Sequence, residues 1–176
     1  MEKRKGPGLE VFSGRAISVR VDPVIVGNHE GTREVVERVG AVGVLAEDSD
    51  GRVVMIFQYR WPIQRWCWEI PAGKIDPFEL PLDAAKRELS EETGYRAEHW
   101  EKILDFYPSP GYSTELITVF YARTLTASRA HPEADEDIRT ALWDHGDIEQ
   151  HLRHNDGLNA LWVVAMQWWL NRPRNQ

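Results

Sequence analysis

Three glutamates fall within five residues, at Glu88, Glu91 and Glu92. In an α-helix, residues three and four apart share a face, so these carboxylates are forced together. Like charges placed this way destabilise an isolated helix, and a sequence selected for stability alone would spread them or interleave lysines. Clustered hard oxygen ligands suit Mg²⁺ or Mn²⁺, and Mg²⁺ characteristically joins a few carboxylates to substrate phosphates. The chemistry such a set could serve is attack of water at a phosphate group. It requires neutralising phosphate charge, holding a water in line and removing its proton. Arg60 supplies a planar fork of donors matched to phosphate, and Arg33 or Arg38 offers a second.

The elements that must carry these residues are legible in part. Pro81 suits the first position of a helix running to Thr93, Asp83 complements its positive end, and Gly94 suits a left-handed cap. Leu82, Ala85 and Leu89 form its apolar stripe. The runs Ala41–Ala46 and Val53–Arg60, separated by a turn ending at Gly51, read as two buried strands in a hairpin. Alternation over Leu9–Val26 predicts an N-terminal strand pair, and Arg33–Arg38 a further strand. Strands are expected near Trp100–Tyr107, Leu116–Ala122 and Ile138–Trp143, and helices over Gly146–Arg153 and Leu158–Leu170. Strands alternating with helices predict a mixed sheet covered on both faces.

The run from Gly73 to Tyr95 (GKIDPFELPLDAAKRELSEETGY) resembles the signature of the Nudix hydrolases. That signature is a glycine, five residues, Glu, seven residues, then Arg-Glu-hydrophobic-x-Glu-Glu-x-Gly-hydrophobic. Every specified position is met, which chance delivers less than roughly once in a million chains. The resemblance implies an α/β/α sandwich with a mixed β-sheet from about Val35 onward, plus a small N-terminal antiparallel sheet. Outside the box, Trp68-Glu69-Ile70-Pro71-Ala72-Gly73-Lys74-Ile75-Asp76 is similar to the approach to the box in ADP-ribose pyrophosphatases. Phe57-Gln58-Tyr59-Arg60 is similar to their strand ending in a substrate-binding arginine. Ser109 to Glu115, with Gly111 and Tyr112, and Glu136-Asp137-Ile138 resemble their later loops.

By this resemblance Glu88 and Glu92 are direct metal ligands, the Ala72 carbonyl is a third, and Glu91 ligates or orients. Arg87, one turn before Glu91, is expected to pair with it, and Glu79 to hold the box loop, both in supporting roles. The general base of the resembled enzymes is a glutamate on an acidic loop after the box. Here that loop reads His131-Pro132-Glu133-Ala134-Asp135-Glu136-Asp137. It has Ala134 where the family often has another glutamate; of the glutamates present, Glu136 is favoured as the base and Glu133 is second. Glu115 is expected to accept from a ribose. Trp61, Trp66, Trp68, Tyr107 and Tyr112 are candidates to stack on a base, and Trp162, Trp168 and Trp169 read as core or dimer packing. The activity implied is Mg²⁺-dependent hydrolysis of ADP-ribose to AMP and ribose 5-phosphate. The alternatives are another nucleoside diphosphate sugar such as GDP-mannose, or a non-catalytic nucleotide-sensing module.

Composition agrees with one enzyme domain. The 176 residues suffice for a single core, and 42% apolar content with eight Trp excludes disorder. A net charge of −7 argues against a nucleic-acid partner, because polyanion binding relies on clustered Lys and Arg. No apolar run reaches membrane-spanning length, no secretory signal follows MEKRKGPG, and the single Cys67 forms no internal disulfide. A cytoplasmic compartment and a small-molecule nucleotide-sugar partner are expected. Residues 1–34 precede the box-bearing domain, 35–176. In the resembled enzymes such a segment exchanges across a homodimer and helps build each site.

Overall fold

The computed structural model describes residues 1–131, 137–154 and 159–172. The chain divides into two compact units, 1–40 with 106–116, and 41–105 with 117–172 among the described residues.

The first unit is an antiparallel sheet built on one long strand. β1 (Glu2–Arg4), β2 (Leu9–Ser13) and β4 (His29–Glu37) all pair with β3 (Ser18–Val26). Gly27 and Asn28 turn β3 into β4, and the positive φ of 62° at Gly27 is why glycine sits there. The segment 109–115 is tied to β4. The Val36 N–H donates to the Tyr112 carbonyl at 2.8 Å, and the Thr114 N–H to the Val36 carbonyl at 3.0 Å.

The second unit is the mixed α/β sandwich. β5 (Ala41–Ala46), β6 (Val53–Arg60), β7 (Arg65–Glu69), β8 (Ala72–Lys74), α1 (Pro81–Thr93), β9 (Tyr95–Phe106), β10 (Ile117–Ala127), β11 (Ile138–Trp143), α2 (His145–His154) and α3 (Ala160–Asn171) follow in order. One sheet runs β8-β5-β10-β9, with β5 antiparallel to β8 and parallel to β10. The other, β11-β6-β7, is antiparallel. Alternation along β5 explains the layering. Val42, Val44 and Ala46 share a buried cluster with Ala84, Ala85 and Leu89 of α1. On the opposite face, a Cβ at Gly43 would lie 2.7 Å from the end of the Leu161 side chain of α3, so the absence of a side chain there lets Leu161 pack directly on the strand. Trp162 and Trp169 are fully buried. No helix among the described residues is long and apolar enough to cross a membrane.

The hairpin expected between Ala41–Ala46 and Val53–Arg60 is not formed, because β5 pairs with β8 and β10 and β6 with β7 and β11 in a different sheet, and four further expectations about the elements need correction. The first three concern short strands that were not anticipated. β1 is fully exposed and charged, with no alternation to betray it. β7 follows a tight turn in which Gln64, not glycine, takes a left-handed φ of 51°. β8 has only three residues. The fourth is that β9 begins at Tyr95, earlier than expected, because its partly exposed face shows little apolar contrast.

The end of α3 is clasped to β5 and β10. Arg172 donates to both oxygens of Glu47, at 2.5 and 2.7 Å, and lies 4.7 Å from the Trp169 ring centroid and 5.2 Å from that of Tyr121. The Tyr121 hydroxyl also donates to Glu47. This clasp forms part of the wall of a hollow of about 820 Å³ that contains none of the box carboxylates. Because Arg172 and Glu47 side chains are only 13% and 11% exposed, removing the cation strands a buried carboxylate. Arg172→Met is expected to cost about 3 kcal/mol of stability, read as a lower denaturation midpoint with unchanged slope.

Candidate active site

The box is positioned by two glycines and one arginine. Gly94 ends α1 with φ 71°, and its N–H caps the Ser90 carbonyl at 3.0 Å. A Cβ there would also lie 2.7 Å from Ser128 O and Ala130 N, so both conformation and space require glycine. Gly73 on β8 has no Cβ because the Glu88 carboxylate occupies that place. A Cβ would lie 1.9 Å from Glu88 Oε1. Glu92, only 3% exposed, accepts the Ala72 N–H at 2.9 Å. Two carboxylates are thus laid against the Ala72–Gly73 backbone, with Glu91 40% exposed on the same helix.

Arg87 is their counter-charge. Its Nη1 stands 2.7 Å from Glu88 and 3.1 Å from Glu91. Nε and Nη2 grip Glu79 at 3.0 and 2.9 Å, and Nη2 also donates to the Lys74 carbonyl at 2.9 Å. Glu79 in turn accepts the Asp76 N–H at 3.0 Å. One guanidinium therefore ties the box loop to the acidic helix. The Arg87 hydrogen bond, more than anything else, holds the Glu79 carboxyl below its ordinary value of 4.5. Since the folded value is depressed, this stabilisation is present above the ordinary value and lost as pH falls through the folded one. Arg87→Ala is expected to flatten the acid limb of a plot of thermal midpoint against pH.

The side chains gathered here, Glu88, Glu91 and Glu92, offer only carboxylate oxygen, the donor type that suits a hard divalent cation. Among the described residues, no three His, Cys, Asp or Glu side chains converge on one point. The carboxylates instead rest on Arg87 and the Ala72 amide.

Arg60 lies at the end of β6 and reaches back along the β6–β7 hairpin to Glu69. Its Nε donates to Glu69 at 2.9 Å, and its Nη2 makes a second, short hydrogen bond to the other oxygen. Glu69, at 3% exposure, holds the Arg60 guanidinium further above its ordinary value, with a smaller contribution from the charge of Glu92. Sequence reasoning missed Glu69 as a partner because β7 was not recognised. Once its register is known, Ile56 faces Glu69 and Gln58 faces Cys67, placing Arg60 and Glu69 on one face. Gln58 Oε1, also on that face, is buried without a hydrogen-bond partner among the described residues.

Of the aromatic candidates in this unit, Trp66 and Trp68 lie on the other face of the hairpin. They pack in a row with Phe57 and Trp143, with centroids 4.6 to 5.0 Å apart, Trp66 stacked on Phe57 and the other pairs tilted. Trp61 is 74% exposed. In the first unit Arg33 is held by Glu2 at 2.8 Å and by the Thr32 carbonyl at 2.9 Å. Arg38 pairs with Glu115 at 3.1 Å. Tyr107 and Tyr112 are 55% and 58% exposed, and Gly111 has open space around its Cα. Glu133 and Glu136 lie outside the described residues.

Comparison with known proteins points to one family. The family model for the NUDIX domain matches residues 37–160. The chain is 43% identical over 129 residues to the ADP-ribose pyrophosphatase of Bacillus subtilis (strain 168), covering 73% of this chain and 70% of that one. It is 40% identical over 162 residues to the methanol dehydrogenase activator of Bacillus methanolicus, covering 90% and 88%. A solved structure described as an ADP compounds hydrolase superposes with a TM-score of 0.82 at 20% identity, covering 96% of this chain and 94% of the other.

Proposed function

This chain belongs to the Nudix family and is a Nudix hydrolase, and from that premise we propose that it hydrolyses the pyrophosphate of ADP-ribose with Mg²⁺, giving AMP and ribose 5-phosphate. The observation that carries the reading is the placement of Glu88 and Glu92 against Ala72–Gly73 with Glu91 beside them. The choice of ADP-ribose rests on kinship with the Bacillus subtilis pyrophosphatase. Held by Glu88, Glu91, Glu92 and the Ala72 carbonyl, the cation would neutralise phosphate charge and polarise the anhydride. Arg60 donates to a phosphate oxygen. Glu136, with Glu133 as the second choice, takes the proton of the attacking water. Glu115 accepts from a ribose hydroxyl. Arg33, Arg38, Gly111 and Tyr112 complete the substrate contacts, and Arg87 and Glu79 support the carboxylates.

A substrate panel with phosphatase-coupled detection tests this. ADP-ribose is expected to give the highest kcat/KM. GDP-mannose is the natural competitor. A preference for GDP-mannose would overturn the substrate assignment, and turnover of none would favour a sensing module.

We propose further that the protein is a two-fold homodimer through its N-terminal strands. Leu9, Val11 and Phe12 of β2 are 68%, 54% and 53% exposed, an apolar strand edge of the kind that pairing removes. Deleting residues 1–28 is expected to weaken the dimer and raise KM for ADP-ribose. Light scattering that finds a fully active monomer at micromolar concentration would contradict this.

A further inference from the structure

Arg60 has five N–H donors in a fixed plane, and Glu69 takes two of them along one edge of the guanidinium. Nη1 has no hydrogen-bond partner among the described residues, and the side chain is 41% exposed whereas Glu69 is 3% exposed. One edge is therefore locked inward, and the opposite edge, formed by Nη1 and the second N–H of Nη2, is left open. We propose that Glu69 is a positioning residue that fixes Arg60 so that this outer edge meets a substrate phosphate end-on. The proposal rests on the reading of Arg60 as a phosphate ligand.

Attraction alone does not explain the pair. A carboxylate beside Arg60 offsets part of the positive charge that an anionic substrate would feel, so what Glu69 contributes is orientation. An unrestrained arginine loses rotamer freedom when it binds, and one already held by a buried bidentate partner does not. Gln58 and Cys67, which face each other between the two residues on the hairpin, provide no competing charge. Glu69 is the only salt-bridge partner of the guanidinium among the described residues, and Glu92 acts on it only as a charge at longer range.

The test compares Glu69→Gln, Arg60→Gln and the double variant, each as the full chain with ADP-ribose and Mg²⁺, for kcat and KM separately. A glutamine at 69 keeps the shape but turns an amide N–H₂ toward a guanidinium that can only donate, so the lock is lost. Glu69→Gln is expected to raise KM about tenfold with kcat little changed. Arg60→Gln should raise KM at least as much, and the double variant should be no worse than Arg60→Gln alone. A merely structural role would lower the thermal midpoint without this split between KM and kcat. A normal KM for Glu69→Gln, with a raised KM for Arg60→Gln, would overturn the positioning role and leave Arg60 as a ligand. An unchanged KM for Arg60→Gln would overturn the parent reading itself. Additive losses in the double variant would place the action of Glu69 elsewhere. If Glu69→Gln alone does not fold, the double variant, which carries no stranded charge, decides. A KM equal to that of Arg60→Gln supports the proposal, and a clearly higher one contradicts it.

Discussion

Glu92→Gln is expected to lower the turnover of ADP-ribose on the order of a hundredfold or more while leaving the fold intact. The side chain is buried and accepts the Ala72 N–H at 2.9 Å, and a glutamine oxygen accepts that bond equally well. Removing one of three like charges from a single helix face also relieves repulsion. The loss should therefore fall on cation binding and phosphate neutralisation, with little change in stability. Thermal denaturation separates the two. Mg²⁺ or Mn²⁺ should raise the midpoint of the parent protein through preferential binding to the native state, and raise that of the variant much less. A variant that hydrolyses ADP-ribose at the parent rate with Mg²⁺ would show that the box carboxylates do not hold the metal.

Glu136→Gln is expected to depress kcat on the order of a hundredfold with KM similar, because loss of a general base acts on the chemical step. Glu133→Gln should do less. The reverse ranking would move the base to Glu133, and two harmless substitutions would return the role to a box glutamate, Glu91 first. This prediction stands on the sequence of the acidic loop and on the resemblance, since both residues lie outside the described part of the chain.

What the sequence disclosed, and what it hid, follows from how each feature is encoded. The acidic helix was legible because its start, its stripe and its cap are local signals. Pro81 opens it, Gly94 closes it at φ 71°, and Ala85 and Leu89 are buried as the spacing requires. The burial of Ala84 was not foreseen, because it depends on how closely β5 approaches. β5 and β6 were legible as apolar runs, but not their partners: β5 pairs with β8 and β10, and β6 with β7 and β11, so the two lie in different sheets. β7 was not legible, since Arg65-Trp66-Cys67-Trp68-Glu69 mixes charge with aromatics after a turn that lacks glycine. That omission hid the most consequential contact in the site. Arg60 could be read as a phosphate fork from its type alone, but its buried partner nine residues later is visible only once the strand register is known. Gly73 is a similar case. The motif marks it as glycine, and the structure supplies the reason, a carboxylate of Glu88 lying where its Cβ would be.

Product analysis on the intact protein decides whether it cleaves ADP-ribose with Mg²⁺. ADP-ribose is incubated with enzyme and Mg²⁺, and the reaction is resolved by anion-exchange chromatography. Equal amounts of AMP and ribose 5-phosphate are expected, formed only when the cation is present and suppressed by chelator. Intact ADP-ribose under conditions where another nucleoside diphosphate sugar is cleaved, or cleavage that persists undiminished in chelator, would contradict that activity.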